Sequence, residues 1–397
     1  VNRSARAASP SPDPSAKRPI DERRILGRYG SDASGPLVLC VAGIHGNEPS
    51  GVHAVRRVVV QLRERQPAFR GRLLAISGNL PALRTGRRFI DRDLNRGWNV
   101  RKVARTLERP DSVEDAEQAA LLEILVPAIR EAPGDVYVID LHTTSSASPP
   151  FLTLGDALET RTFARQLGMP LVLGIEEKID AMVDYLAEFG TVGIGIEAGQ
   201  HEDPRSVDLH EAGLWLSLLA AGCLPEDTDV VDLHECRAQI REARDGLSPV
   251  FEVIYRRGIA PEDEFRMTPG FENFAPVRAG QIVARDVRGP IPTPMRGRLF
   301  LPLYQAQGDD GYFLVRSISP IWLRISAVLR RLGAPQLLPL LPGVHRSARR
   351  EDTFVVSRSV ARWLVNEIFH LLGYRLVRET RRHLVFRGRA PSLRDEG

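Results

Sequence analysis

The chain is poor in cysteine, aromatic residues, long apolar runs and lysine, and each scarcity removes a class of explanation. Its 397 residues include only three cysteines, Cys40, Cys223 and Cys236. Three thiols cannot close a disulfide framework and these stand at no zinc-ribbon spacing, so a reducing cytoplasm is the expected setting. Aromatic side chains make up 6% of the chain, too few for a protein built on base-stacking platforms. No apolar run approaches the roughly 18 residues that span a bilayer, and residues 336–344 are interrupted by Pro339 and Pro342. No charged start followed by an apolar segment marks a secretory signal. Lys17, Lys102 and Lys178 are the lysines, and the rest of the 54 basic residues are arginine. The plain reading of that bias is a preference for arginine codons.

A hydrophobic fraction of 43% beside 26% charged residues is the balance of a folded protein, and the length suggests two or three packed units. The net charge of +4 is unevenly spread. Residues 317–397 hold 15 arginines against 6 acidic residues, and residues 1–24 hold 6 basic against 3 acidic groups. That leaves −8 on residues 25–316, an acidic body that argues against a nucleic-acid partner.

Residues 1–24 lack apolar periodicity and are expected to form a disordered tail. Short β-branched runs then alternate with helical stretches. Leu37–Ala42, 73–77, 136–141, Leu171–Leu173 and 192–196 predict buried strands, and 51–64, Val113–Arg130 and 157–167 predict helices. The alternation implies an α/β/α layered domain over 25–245 with a mainly parallel mixed sheet and its site beyond the strand ends. Strand-like pieces at 250–255, 281–285, 297–301 and 312–316, separated by Pro and Gly turns, predict a small all-β domain over 246–316. Residues 317–397 make a basic α+β appendage, with a helix expected over 357–372 and a hairpin over 374–386.

Four segments carry chemistry. The first predicted strand runs into Gly43-Ile-His45-Gly-Asn-Glu48, where small residues allow a tight turn and two metal-ligating side chains stand three apart. The strand Tyr137-Val-Ile-Asp140-Leu delivers His142 at its end. Two histidines and one carboxylate leave a fourth tetrahedral position open, the arrangement of a catalytic zinc and not of a structural one. Glu197 ends the run Thr191-Val-Gly-Ile-Gly-Ile, placed to take a proton from water and return it to a leaving amine. The segment Arg88-Phe-Ile-Asp-Arg-Asp93-Leu-Asn95-Arg96 follows Gly78-Asn79. Arg96 can grip a substrate carboxylate with two bonds while Asn95 fixes it from beside, and Arg88 can polarise a carbonyl. Taken alone, the first segment reads first as a solvated turn, a lone histidine as a packing or surface residue and 88–96 as a charged loop; their joint placement at strand ends favours a site.

Together these segments resemble the succinylglutamate desuccinylase and aspartoacylase family, a branch of the zinc carboxypeptidase superfamily. The matching stretches are 43–48, 78–96, 140–144 and 195–200, with 267–274 and 308–312 similar to that family's C-terminal β domain. The resemblance covers about residues 35–316 and implies one zinc per chain on His45, Glu48 and His142. It implies Glu197 as general acid/base, Arg88 on the reacting carbonyl, and Asn95 with Arg96 on a substrate carboxylate. Tyr304 stands about where the family sends a tyrosine into its site, and Asp140 stands two before a ligand, where it can hold a histidine tautomer. One departure matters: ten residues before Glu197, where aspartoacylase has another substrate-binding arginine, this chain has Ala187. His201 is expected at the surface, where a helix begins.

The expected function is therefore hydrolysis of a small N-acyl amino acid or similar amide. A zinc carboxypeptidase and a ligand-binding protein on the same fold are the alternatives. Residues 321–332 carry an apolar stripe with arginines opposite. That stripe is expected to pack on the β domain, with contact between 317–332 and a membrane surface or a partner as the alternative.

Overall fold

The computed structural model describes residues 23–244, 246–347, 350, 352–357, 365–380 and 382–388. The tail expected over 1–24 therefore lies outside the described residues except for Arg23 and Arg24. The first strand, β1 (Ile25–Tyr29), is an element that the alternation of apolar runs does not announce. β2 (Leu37–Ala42) follows, then α1 (Ser50–Arg65), β3 (Arg72–Ser77), α2 (Leu80–Thr85), α3 (Val100–Glu108) and α4 (Val113–Arg130). Next come β4 (Val136–Thr144), β5 (Phe151–Leu154), α5 (Leu158–Gln166), β6 (Leu171–Leu173), α6 (Met182–Ala187) and β7 (Val192–Gln200). α7 (Arg205–Ala220) and α8 (Leu233–Ala243) lead to β8 (Val250–Gly258). β9 (Arg266–Met267), β10 (Pro276–Val277), β11 (Ile282–Asp286), β12 (Gly289–Pro292), β13 (Gly297–Phe300) and β14 (Asp310–Ser317) complete this part.

One mixed sheet of 11 strands runs through it in the order β1-β3-β2-β4-β7-β5-β6-β8-β14-β13-β10. β3, β2, β4 and β7 are mutually parallel; β1 and β5 pair antiparallel with their neighbours β3 and β7. β8 pairs in parallel with β6, so the sheet does not stop at the expected boundary after residue 245. Among the described residues of this part, β9, β11 and β12 form a separate three-stranded sheet. Helices cover both faces of the parallel part, which is why its strands read as unbroken apolar runs. Val38, Cys40 and Ala42 point to the face where Val55 and Trp215 lie, while Leu39 and Val41 point to Leu121, Leu125 and Met182. Each valine, leucine or methionine so buried contributes roughly 1.5–3 kcal/mol relative to exposure.

The appendage consists of α9 (Pro320–Arg331), β15 (Val344–Arg346), β16 (Thr353–Ser357), α10 (Val365–Leu371), β17 (Tyr374–Glu379) and β18 (His383–Gly388). The hairpin expected over 374–386 is β17 and β18, paired antiparallel. The helix expected from 357 meets strand β16 at its first residue, residues 358–364 lie outside the described residues, and α10 covers its last turns. A small core of Leu338, Phe354, Phe369 and Phe386 holds the four-stranded sheet β15-β16-β18-β17. Arg375 and Arg387 tie it to the body through the carboxylate of Glu188, at 2.9 and 2.5 Å. Among the described residues, no helix is long and apolar enough to cross a membrane.

Candidate metal centre and active site

The turn after β2 brings two ligating side chains together because two glycines permit it. Gly43 has φ +70°, a left-handed conformation that side chains rarely adopt. A Cβ on Gly46 would lie 2.0 Å from the carbonyl carbon of Ala82. The backbone N–H of Gly46 instead donates to the carbonyl of Arg88 at 3.2 Å, joining this turn to the arginine-bearing loop. His142 lies inside β4, two residues after Asp140 and so on the same face of the strand. β4 and β7 both run past the ends read from the sequence, and in their shared register His142 is the neighbour of Glu197.

His45, Glu48 and His142 are all buried, and their ligating atoms lie within 4.8 Å of one another. The Nδ1 atoms of His45 and His142 lie 2.9 and 3.2 Å from Glu48 Oε1 and Oε2 respectively. Their Nε2 atoms lie 3.1 Å from Asp93 Oδ1 and 2.8 Å from Asp140 Oδ2. A proton committed to each aspartate leaves an Nδ1 lone pair facing a carboxylate oxygen. Two such acceptor pairs need a proton or a cation between them, and the donor set of two imidazoles and one carboxylate suits zinc. The aspartates stand where outer partners of metal-bound histidines stand, each setting a tautomer and a ring orientation.

The charges follow from this packing. Burial works to raise the Glu48 carboxyl, yet His45 and His142 hold it well below the usual carboxylate range. Burial works to lower His142, and Asp140 with Glu48 keeps it well above the usual imidazole value. Glu197 goes the other way: burial, with Glu48 nearby, pushes its carboxyl up to about 8 even though His142 and Arg88 oppose the rise. Its Oε2 is buried without a hydrogen-bond partner.

The loop 88–96 is shaped by two buried carboxylates. Glu114, at the start of α4, accepts from the backbone N–H groups of Ile90, Asp91 and Arg92 and from Asn79 Nδ2. Asp93 accepts from Arg88 Nε and Nη2 at 3.1 and 2.9 Å while also facing His45. Arg88 Nη1 lies 3.3 Å from Glu48 Oε1, so this guanidinium is held at the edge of the ligand cluster. Arg96 donates through Nε and Nη2 to Asp310 Oδ2 at 3.1 and 2.9 Å, and Arg256 Nε binds the other oxygen at 2.5 Å. Asn95 accepts from the backbone N–H of Met182 at 2.8 Å, and its amide nitrogen lies 3.3 Å from His142 Nε2 and 3.4 Å from Asp140 Oδ2.

These groups surround a cavity of about 100 Å³ that His45, Glu48, Arg88, Arg96, His142 and Glu197 line. Its outer wall comes from Leu303, Gln305 and Asp309, between β13 and β14. Tyr304 is not among the lining residues: its hydroxyl donates to the carbonyl of Thr268 at 2.7 Å and accepts from the N–H of Phe271 at 3.0 Å. That loop turns residues 303 and 305 inward and residue 304 outward. His201, expected at the surface, lines the cavity, with Nδ1 2.7 Å from Thr143 Oγ1 and Nε2 3.0 Å from Gln305 Oε1. It turns inward because β7 continues to Gln200 and carries the next residue over the site. Ala187, at the end of α6, lines a different cavity beside Glu188 and Arg375; from α6 the site receives Val183 and Asp184. Asp93 and Glu114 hold the arginine-bearing loop in place, and no spacing in the sequence marks them.

Residues 34–217 match the family model for the succinylglutamate desuccinylase/aspartoacylase catalytic domain. A succinylglutamate desuccinylase of Burkholderia lata is 36% identical over 121 residues, which are 30% of this chain and 33% of that protein. One of Photorhabdus laumondii is 38% identical over 112 residues, 27% of this chain and 33% of that protein. The chain thus spans about a third of the length of these curated relatives. Among solved structures, a succinylglutamate desuccinylase from Chromobacterium violaceum has a TM-score of 0.52 at 20% identity, covering 72% of this chain and 85% of that one. The product-bound ectoine utilization protein EutE (DoeB) from Ruegeria pomeroyi has a TM-score of 0.53 at 19% identity, covering 73% and 88%. At these identities the solved structures establish a shared fold.

Proposed function

We propose, for a chain that over residues 34–217 belongs to the succinylglutamate desuccinylase/aspartoacylase family, a zinc-dependent deacylase that hydrolyses the amide of a small N-acyl amino acid. The observation that carries this reading is the convergence of His45, Glu48 and His142 with Glu197 in one buried cavity. When bound by the two histidines and Glu48, zinc supplies Lewis acidity at a carbonyl and makes water ionisable near neutrality.

The chain's own residues do the remaining work. Glu197 takes the proton from the attacking water and returns it to the departing nitrogen. It accepts that proton as a carboxylate, and burial, which raises its carboxyl, favours the protonated form that then delivers the proton to the nitrogen. Arg88, fixed by Asp93, is placed to polarise the reacting carbonyl. Arg96, oriented by Asp310, is the proposed anchor for a substrate carboxylate. Both ends of the Asn95 amide are engaged within the protein, Oδ1 by the Met182 N–H and Nδ2 by Asp140, so we assign it to holding Asp140 beside His142 and not to the substrate. The wall that Leu303, Gln305 and Asp309 set at the cavity restricts access to long chains and favours a compact acyl amide over the peptide of a carboxypeptidase.

The test is Glu197→Gln, assayed on N-acetyl and N-succinyl amino acids with metal analysis alongside. Zinc should remain stoichiometric while turnover falls by about 10²–10⁴. Wild-type turnover in that variant, or wild-type protein that binds no zinc, would overturn the reading.

A further inference from the structure

α9 has an inner face that fixes its rotation about its own axis. Leu323 and Ser326 are buried there, and the Ser326 hydroxyl donates to the carbonyl of Leu371 at 2.6 Å. Arg330 donates to Asp156 through its carboxylate at 2.8 Å and its carbonyl at 2.7 Å, and to the carbonyls of His370 and Leu371 at 2.8 and 3.1 Å. With those bonds made, the opposite side of the helix must face out. The expectation that the apolar stripe packs on the β domain is thereby reversed.

What faces out is apolar. At 3.6 residues per turn, Ile321, Ile325, Val328 and Leu332 fall within about 60° of one another. Their exposures are 63%, 38%, 54% and 77%. Scattered exposed apolar residues are ordinary, but a continuous ridge along three turns marks a contact surface. Exposed Arg324 and Arg331 flank the ridge on one side, and neither makes an ion pair with a described residue. Trp322, 56% exposed, flanks the other. Beyond the helix, Leu337 and Leu340 are exposed as well.

We propose that this face rests on an anionic lipid bilayer surface, with α9 lying in the interface plane. An apolar ridge, flanking arginines and an edge tryptophan is the side-chain set of an interfacial helix, each at its own depth. Charge selects the lipid. The appendage region 317–397 carries 15 arginines against 6 acidic residues, whereas the body over 25–316 is at −8. An anionic surface attracts the first and repels the second, and exposed Arg324 and Arg331 set positive charge directly beside the ridge.

The experiment is co-sedimentation of the full chain with vesicles of phosphatidylcholine, with and without phosphatidylglycerol. The chain should sediment with the anionic vesicles alone and show a blue shift in tryptophan emission. Affinity should fall about fivefold for each of Arg324→Gln and Arg331→Gln. The double variant Ile325→Asp, Leu332→Asp should abolish sedimentation while hydrolysis in solution stays unchanged. Sedimentation that ignores the phosphatidylglycerol content, or binding that survives the double variant, would overturn the proposal. So would a dimer in lipid-free solution that the double variant disperses, since the ridge would then be covered by a second copy.

Discussion

His45 and His142 each turn one ring nitrogen toward Glu48 and the other toward an aspartate. The symmetry makes the two aspartates comparable, and Asp140→Asn is the cleaner test because Asp93 also carries Arg88. An asparagine can no longer demand the Nε2 proton, so His142 loses its fixed tautomer. Zinc affinity should drop about 10–100-fold without loss of folding, read by competition with a chelator. Sequence reasoning reached the cluster of His45, Glu48 and His142 because their types and turn residues are local. It did not reach Asp93 or Glu114 as holders of the arginine loop, because their partners lie on other elements. Tyr304 and His201 were misplaced for a related reason: facing in a loop is decided by how neighbouring strands end.

Elements with a length and pattern of their own were legible, a long run between a serine cap and a closing arginine in α4 and a short unbroken apolar run in β2. α4 and β2 were read to their ends, whereas α7 went unread. Its buried residues include Ala212, Leu214, Trp215, Leu216 and Leu218, which leave no polar side to set a helical period. α7 packs on α1 through a buried histidine. His210 Nδ1 lies 3.3 Å from Ser50 Oγ, and burial lowers the imidazole from 6.5 to about 4. Above pH 6.5 the folded and unfolded chains are both neutral there. As pH falls from 6.5 toward 4 the unfolded chain takes up a proton that the folded chain refuses, so stability declines. Relative to wild type, His210→Gln should lose about 2 kcal/mol less between neutrality and pH 5, measured by urea unfolding at the two values.

At the scale of the whole molecule, the change of texture near residue 246 was visible, but the pairing of β8 with β6 was not. Strand partners over such distances are fixed by three-dimensional packing, which one sequence does not display. The appendage is joined to the body partly by charge. Buried Asp156 holds both Arg161 and Arg330, the second reaching over from α9. Asp156→Ala strands two guanidinium groups in the interior, a change that costs about 3–5 kcal/mol for a buried pair. Lower stability in urea should therefore come with early proteolytic cleavage in the region after residue 317.

The cavity walls have a consequence for the order in which the protein matures. A chain leaves the ribosome N-terminus first, so His45, Glu48 and His142 emerge before Glu197, and Glu197 before the wall at Leu303, Gln305 and Asp309. On the proposed zinc reading, all three ligating side chains have thus been made before the residues that wall the cavity. An ion taken up at that stage would not have to pass Leu303, Gln305 and Asp309.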